Sequence, residues 1–531
     1  MKNIIKYGLF FPLLLLMLTS CDKSFNDIAN ENPNQATSVP SSLLFNGIEN
    51  DIYVAPFGDE EKWCQYFLIN YDYYGNNRYD FGSGKDYYAT LKNVIKMVEE
   101  TRGTNLGVVN PYEAIGKFFK AYFFTLMSLE MGDIPMSQAL KGLDNLTPAY
   151  DTQKAVFQQA FVWLDSANLE LASLKTKNDV SLQNDIYLGN DLGKWQKAVN
   201  TFRLRLLIHL SKRADDNPDL KVKEQFAMIV GDPTTYPIME SASDNIQYNY
   251  IYPTNIYPNN PGNFGFDALR DNCSDTYVGL LDSLKDPRVY ITSEPALKLV
   301  DSLKLAPTDF KAFVGANPGE DLGAMYIKAN SGLYSLLNRY HYYRTYTAES
   351  SIIIGYAEMC FNIAEAINRG WISTLTATDA ENYYIEGIKA SRSFYSIPET
   401  GQMTVYFFKA GASLSDANPY NSYSVNADFN TYYNQATVKY SGNNANGLKQ
   451  ILQQRYLALF RHGGLESYFT YRRTGVPVFE TGPGTGNSGR IALRFKYPSN
   501  EVTANAKNYQ SALTSQFGGN DDINGVMWII K

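Results

Sequence analysis

Tyr112-Glu113-Ala114-Ile115-Gly116-Lys117-Phe118-Phe119-Lys120-Ala121-Tyr122-Phe123-Phe124-Thr125-Leu126-Met127-Ser128-Leu129 decides the fold class of this 531-residue chain. Apolar side chains at Ile115, Phe119, Tyr122, Leu126 and Leu129 recur in steps of three and four, which puts them on one face of a helix. Gly132 follows as a left-handed cap, and Pro135 keeps the helix from resuming. A second helix is expected after Pro148, with Asp151 accepting from the free amides of its first turn. Its inward set is Val156, Phe157, Ala160, Leu164, Ala167, Leu171 and Leu174. A third helix is expected over about Lys194–Arg213, with Trp195, Ala198, Phe202, Leu206 and Leu210 inward. Further helices are expected over Ser350–Arg369, closed by Gly370, over Ala377–Tyr395 and over Leu448–Tyr471. Amphipathic helices joined in pairs by short turns predict a mostly α fold of tetratricopeptide-like helical hairpins, although no clean period of about 34 residues runs through the sequence.

The expected scaffold occupies about 43–232 and 346–475 of a single domain over 43–531. Loop-rich regions at about 233–345, 401–445 and 476–531 carry prolines, asparagines and tyrosines without a long helical pattern, as in Tyr248-Asn249-Tyr250-Ile251-Tyr252-Pro253. Long loops in a compact protein are usually functional or disordered, and this aromatic content argues against disorder.

At the start, Lys2 and Lys6 precede a nearly unbroken apolar run from Leu9 to Leu18, too short for a confident membrane span of about 20 residues. Leu18-Thr19-Ser20-Cys21 reads as a lipobox: two small residues that fit a peptidase cleft, then a cysteine whose thiol takes a diacylglycerol. Residues 1–20 are therefore expected to be a lipoprotein signal peptide, Cys21 the lipidated residue and 21–42 a tether. A multiply acylated cysteine anchors stably because each buried methylene contributes about 0.8 kcal/mol.

Hydrophobic residues at 44% and charged residues at 19% suit a folded chain. A net charge of -7 without a lysine or arginine cluster excludes the electrostatic footprint of a nucleic-acid binder. Beyond Cys21 only Cys64, Cys273 and Cys360 remain, with neither a disulfide framework nor a zinc spacing, and Cys360 falls on the apolar side of an expected helix. Tyrosine is the outlier, with 41 copies against 5 tryptophans. A rigid ring with a hydroxyl at its tip suits surfaces that recognise polar ligands.

Several strings together resemble the SusD/RagB family of Bacteroidetes outer-membrane lipoproteins, in particular its SusD-like second subfamily. Phe25-Asn26-Asp27-Ile28 with Asn32-Pro33-Asn34 is similar to its opening segment, and Met131-Gly132-Asp133-Ile134-Pro135-Met136-Ser137-Gln138-Ala139 to its YGDIPYSEA string. Pro148-Ala149-Tyr150-Asp151-Thr152-Gln153 and Trp195-Gln196-Lys197-Ala198-Val199-Asn200-Thr201-Phe202-Arg203-Leu204-Arg205-Leu206 follow in family order. Asp286-Pro287-Arg288, Tyr356-Ala357-Glu358, Ala364-Glu365-Ala366 and Arg472-Arg473-Thr474-Gly475-Val476-Pro477 come next, then Tyr497-Pro498-Ser499-Asn500-Glu501 and Asn508-Tyr509-Gln510. Met131 and Met136 stand where the family often has tyrosine, and Val199 and Phe202 replace small or polar positions. The resemblance implies a tetratricopeptide-like scaffold carrying an irregular loop-rich region. It implies a lipid-anchored protein on the outer surface of the outer membrane that captures glycans, or in some members peptides, and hands them to a SusC-like TonB-dependent transporter. It implies neither an enzyme nor a cofactor.

Family members place ligand contacts after the first helix and in the central insertion. In this sequence those regions hold Tyr71, Tyr73, Tyr74, Asn77, Arg78 and Tyr79, then Tyr250, Tyr252 and Tyr257, and Tyr342 and Tyr343. A pyranose offers apolar C–H faces for a ring to stack on and a rim of hydroxyls for Asn, Asp and Arg to bond. Tyrosine and asparagine would equally serve a peptide backbone.

Catalytic alternatives are thin. Glu358 and Glu365, seven apart and so about 10.5 Å apart along one helix, could imitate the paired carboxylates of a surface glycoside hydrolase. The expectation is that they instead form interhelical ion pairs with Arg203 and Arg205. His209, His341 and His462 show no metal-ligand spacing, His209 being expected in a packed helix. The glycines of Thr481-Gly482-Pro483-Gly484-Thr485-Gly486 follow no strand-to-helix pattern, and Asn520-Asp521-Asp522 lacks the rest of a calcium loop, so no metal is assigned.

Overall fold

Asn110 opens the helix that the sequence marks most strongly. Its side chain accepts the Glu113 amide at 3.0 Å, and Pro111 takes the first position, where an N–H would go unused. The computed structural model describes residues 38–531; the leader, Cys21 and most of the tether lie outside the described residues. The scaffold helices are α1 (Ser41–Asp51), α2 (Tyr88–Thr101), α3 (Pro111–Met131), α4 (Gln153–Thr176), α5 (Leu192–His209), α6 (Val222–Gly231), α7 (Tyr356–Asn368), α8 (Ala377–Phe394), α9 (Ala445–Ala458) and α10 (Glu466–Thr474). They pack as neighbours, α1 with α2, α3 with α4, α4 with α5, and α7 with α8 and α9, in the expected tetratricopeptide-like manner. Gly387 of α8 lets the Phe361 ring of α7 lie where a Cβ would meet it at 2.7 Å.

The strands are short: β1 (Phe67–Ile69), β2 (Ile134–Pro135), β3 (Tyr150–Asp151), β4 (Ile246–Tyr248), β5 (Asp271–Cys273), β6 (Ser351–Ile354), β7 (Gln402–Phe408) and β8 (Tyr420–Asn426). They pair antiparallel as β1–β5, β2–β3, β4–β6 and β7–β8. The β2–β3 pair explains two of the strings quoted above. Gly132 turns at φ +102°, and Asp151 accepts the amides of Met136 at 2.9 Å and Ser137 at 2.8 Å. Asp151 is thereby committed to the turn. The cap of α4 is Thr152, whose hydroxyl accepts the Ala155 amide, which corrects the expected role of Asp151.

Other boundaries also move. Ser350–Arg369 is not one helix: Ser351 and the β-branched Ile352 and Ile354 pair with β4, with a register shift at Ile353, and α7 begins only at Tyr356. Leu448–Tyr471 is two helices, α9 and α10, parted where Gly463 and Gly464 take φ of +68° and +56°. The third expected helix ends at His209 and tightens into a 3-10 turn over Leu210–Lys212. Region 401–445 contains the β7–β8 hairpin, and region 476–531 contains a further helix, α11 (Ala506–Phe517).

Buried ion pairs lock these parts together. Glu358 accepts from Arg205 Nε at 2.9 Å and Arg455 Nη2 at 2.8 Å. Glu365 pairs with Arg473 and Arg369. Arg203 pairs with Asp165 at 2.8 Å, so of the expected interhelical pairs only Arg205–Glu358 forms. Burial opposes ionisation of Glu365, but Arg473 and Arg369 outweigh it and hold the carboxyl down at about 2. His209 is buried against Glu466 at 3.0 Å. The Asp286-Pro287-Arg288 string docks the loop-rich region on the scaffold: Arg288 Nη2 bonds Asp286 and Gln454 of α9 at 2.6 Å each, and Nη1 donates to Ser391 of α8 at 2.9 Å. Cys64, Cys273 and Cys360 are buried free thiols whose pKa values burial pushes up, those of Cys273 and Cys360 to about 12.

Candidate functional site: an aromatic platform at the end of a two-strand clamp

Strands β1 and β5 pair in the register Leu68↔Asn272 and Ile69↔Asp271, and the ladder runs on as Asn70 donates to the Arg270 carbonyl at 3.2 Å. The Asn70 side chain adds a bond to the Leu269 carbonyl at 3.0 Å. Beyond that point the two chains part, so Tyr71 leaves one strand opposite Leu269 and Arg270. The Arg270 guanidinium lies 4.8 Å from the Tyr71 ring centroid, a cation–π contact worth about 0.5–1 kcal/mol at an exposed site.

A third segment completes the surface. The helix Leu322–Asn330 is capped by Asp321, which accepts the Gly323 amide at 2.9 Å, and is anchored by Met325, buried with Leu68 and Ala316. Its next residue, Tyr326, thereby stands 5.8 Å from Tyr71 at an interplanar angle of 34°. Tyr71 is 39% exposed, Tyr326 38% and Tyr73 81%, with Leu269 and Ile327 also exposed beside them. The result is a shallow face of rings rimmed by a guanidinium. Such a face can stack on a flat ligand and bond its edge.

Of the sequence-selected residues, Tyr71 stands on this face, and Tyr73, two residues on, is exposed. The Tyr74 side chain lies outside the described set. Asn77 is buried and structural: its amide donates to the Ile69 carbonyl at 2.8 Å and accepts the Ile69 N–H at 2.9 Å, completing the free edge of β1 like a third strand. Arg78 is exposed but turns to Asp80 at 2.5 Å, beside the 482–489 turn. The Asn487 amide and Arg78 hold the Asp80 carboxyl below its usual value. Tyr79 is buried, donating to the Trp63 carbonyl at 2.9 Å.

The central clusters divide similarly. Tyr252 is exposed and packs on Tyr346, with ring centroids 4.8 Å apart. Tyr250, Tyr257, Tyr342 and Tyr343 are buried, which corrects their selection as ligand contacts: they form the floor beneath the surface. Tyr250 shares its hydroxyl with Tyr53 at 2.7 Å and Ser351 at 2.8 Å, and Tyr257 and Tyr342 pack around Phe57 under Arg461. Tyr343 accepts from Asn259 at 2.6 Å and reaches Asp271, whose carboxyl burial pushes up to about 7. Sequence reasoning missed Tyr326 and Arg270. An exposed tyrosine on a short helix and an arginine next to a strand carry no periodic signal. No cluster of metal-ligating side chains occurs among the described residues.

No helix among the described residues is long and apolar enough to cross a membrane. No curated protein matches the chain. Among solved structures, a SusD homolog from Bacteroides fragilis is 30% identical, with 93% of this chain and all of that one covered at a TM-score of 0.79. A second SusD homolog from the same organism is 29% identical, covering 93% of this chain and 100% of that one at a TM-score of 0.74. A chitin-binding SusD homolog from Flavobacterium johnsoniae shares the fold at 19% identity and a TM-score of 0.68, covering 92% of this chain and 98% of that one. With residues 33–498 matched by its model, the chain belongs to the SusD-like family, described as starch-binding and associating with the outer membrane.

Proposed function

We propose that the chain is a glycan-capturing protein of the outer membrane, anchored by lipid at Cys21 and exposed on the outer surface, which binds oligosaccharides on the Tyr71–Tyr326 platform and passes them to a SusC-like TonB-dependent transporter. The observation that carries this reading is the platform itself: partly exposed rings fixed by Arg270 and by a paired strand, on a chain of the SusD-like family. A flat site binds modestly and releases fast, which suits hand-over to a transporter. Catalysis has no support: Glu358 and Glu365, the carboxylates that could imitate a hydrolase pair, are bracketed by arginines.

The test is gel retardation of the mature protein through native gels containing a panel of polysaccharides, with Tyr71→Ala, Tyr73→Ala and Tyr326→Ala variants. The expected result is retardation by one glycan that is lost when Tyr71 and Tyr326 are replaced together. Retardation that survives that pair would refute the platform. Failure of every glycan would refute glycan capture and make extended peptides the ligand to test.

A further inference from the structure

Asn338 ties a short helix, Arg339–Tyr343, to β7. Its side-chain oxygen accepts the amides of Tyr340 at 2.9 Å and His341 at 3.1 Å, and its nitrogen donates to the carbonyls of Tyr290 at 3.0 Å and Tyr406 at 3.2 Å. The Tyr340 and Tyr406 rings are thereby stacked, with centroids 4.2 Å apart and planes 16° apart, and the Tyr420 ring abuts Tyr340 edge-on at 5.0 Å. Arg344 lays its guanidinium over Tyr340, 4.3 Å from the centroid. Two flat groups this close to one ring take opposite faces, so Tyr406, Tyr340 and Arg344 form a three-layer stack. A guanidinium held by its face keeps its N–H edge free to bond in its own plane.

The three members of the stack line a cavity of about 510 Å³ together with the end of α8 and residues 348–350, and no residue of the platform belongs to it. Its volume is in the range of small-molecule sites. Much of its polar lining is already spent. Asn338 is used as above, the Tyr290 hydroxyl donates to the Thr308 carbonyl at 2.8 Å, and Ser350 donates to Asn249 at 2.7 Å. The one carboxylate of the lining, Glu349, is buried and bonded to His341 Nε2 at 2.6 Å.

Still without a hydrogen-bond or ion-pair partner among the described residues are the Arg344 guanidinium and the hydroxyls of Tyr340, Tyr406, Ser396 and Thr404, all residues of the lining. Arg344, Ser396 and Thr404 are exposed and the two rings half-buried, so a ligand can reach them. An unpaired cation among hydroxyls suits a singly charged oxyanion on a ligand with hydroxyls of its own, and the guanidinium fork matches two oxygens side by side.

We propose that this cavity is a second binding site, for an acidic sugar whose carboxylate or sulfate ester is gripped by the free edge of Arg344. The oxyanion follows from the cavity; that a sugar carries it rests on the glycan reading. The test is calorimetric titration of the mature protein with glucuronate, glucose 6-sulfate, inorganic sulfate and glucose. At least one acidic sugar should bind about tenfold more tightly than glucose, the scale of a hydrogen bond to a charged group, and the tighter of the two identifies the anion. Arg344→Gln should erase that preference, and since Arg344 is exposed the variant should melt like the parent. Arg344→Lys, which keeps the charge without the fork, should restore only part of it. A crystal soaked in the tighter sugar should show its anionic group on the guanidinium, and this arm decides the matter if Arg344→Gln melts early. Equal binding of both acidic sugars and glucose, a preference that survives Arg344→Gln, or the sugar seated on the Tyr71–Tyr326 platform instead would overturn the site. Inorganic sulfate bound as tightly as the acidic sugars would overturn the sugar. Failure of the glycan reading itself shows elsewhere, as gels in which no polysaccharide retards the protein.

Discussion

Replacing Glu358 by alanine tests whether the interhelical ion pairs hold the scaffold or leave a carboxylate free for chemistry. Glu358 is buried, and it is the one ion-pair partner of Arg205 among the described residues. Arg455 is better insured, keeping Glu466 at 3.2 Å and Asn362 at 3.0 Å. Alanine therefore strands one guanidinium fully, with only the Ile353 carbonyl at 2.8 Å, and the other in part. Breaking a buried pair from one side costs about 3–5 kcal/mol, because the remaining charge stays desolvated. At about 2.1 cal/mol/K per residue, a chain of this length changes Tm by about 1 °C per kcal/mol, so Glu358→Ala should lower Tm by about 4 °C. Urea denaturation followed by circular dichroism reads the same loss as a lower midpoint at unchanged slope. Replacing both partners by methionine should cost less than Glu358→Ala alone, since no orphan charge remains. A loss below about 1 kcal/mol for Glu358→Ala would refute the structural role and reopen the carboxylate as a proton donor.

Three further outcomes are expected. Glu130 is buried at the end of α3, and burial, against the Lys85 amide at 2.7 Å, pushes its pKa up to about 7. A raised carboxyl lends stability below its unfolded pKa of about 4.5 and loses it as pH climbs through about 7, so Glu130→Gln should gain of order 1–3 kcal/mol relative to the parent between pH 5 and pH 8 in urea titrations. Glu365, held at about 2, behaves oppositely: its contribution is complete above about 4.5 and is lost as pH falls towards 2, so Glu365→Gln should flatten the acid limb of a pH-dependent melting series. Gly387→Ala places a Cβ within 2.7–2.9 Å of the Phe361 ring and should destabilise by about 1–3 kcal/mol in the same urea assay, with no change there counting against the close helix contact.

The scaffold was legible because its helices are amphipathic and end at residues with a local reason to end them. Asn110, Pro111 and Gly132 bound α3 where periodicity placed it. What misled was local ambiguity: Asp151 is chemically as good a cap as Thr152, and only the distant amides of Met136 and Ser137 decide between them. The Ile352-Ile353-Ile354 run fits a helix face as well as a strand until β4 supplies its edge. For the proposed platform, the tyrosine clusters led to Tyr71 but gave no sign of Tyr326 or Arg270. Tyr71 and Tyr257 look alike in sequence, yet one is 39% exposed and the other wholly buried, a difference set by strand pairing and by packing under Arg461. Tyr326 and Arg270 become site residues only through segments that meet in space.

The β1–β5 clamp also orders events in time. Its register joins Phe67 to Cys273, about two hundred residues apart, whereas each helical hairpin closes locally. Distant closures bear a larger entropy of ordering and come late in folding. The chain would therefore raise its helices first and complete the proposed platform only when the central region has docked and brought Arg270 over Tyr71. If the platform binds as proposed, its competence is a certificate of finished folding, and a half-made chain would lack the surface altogether.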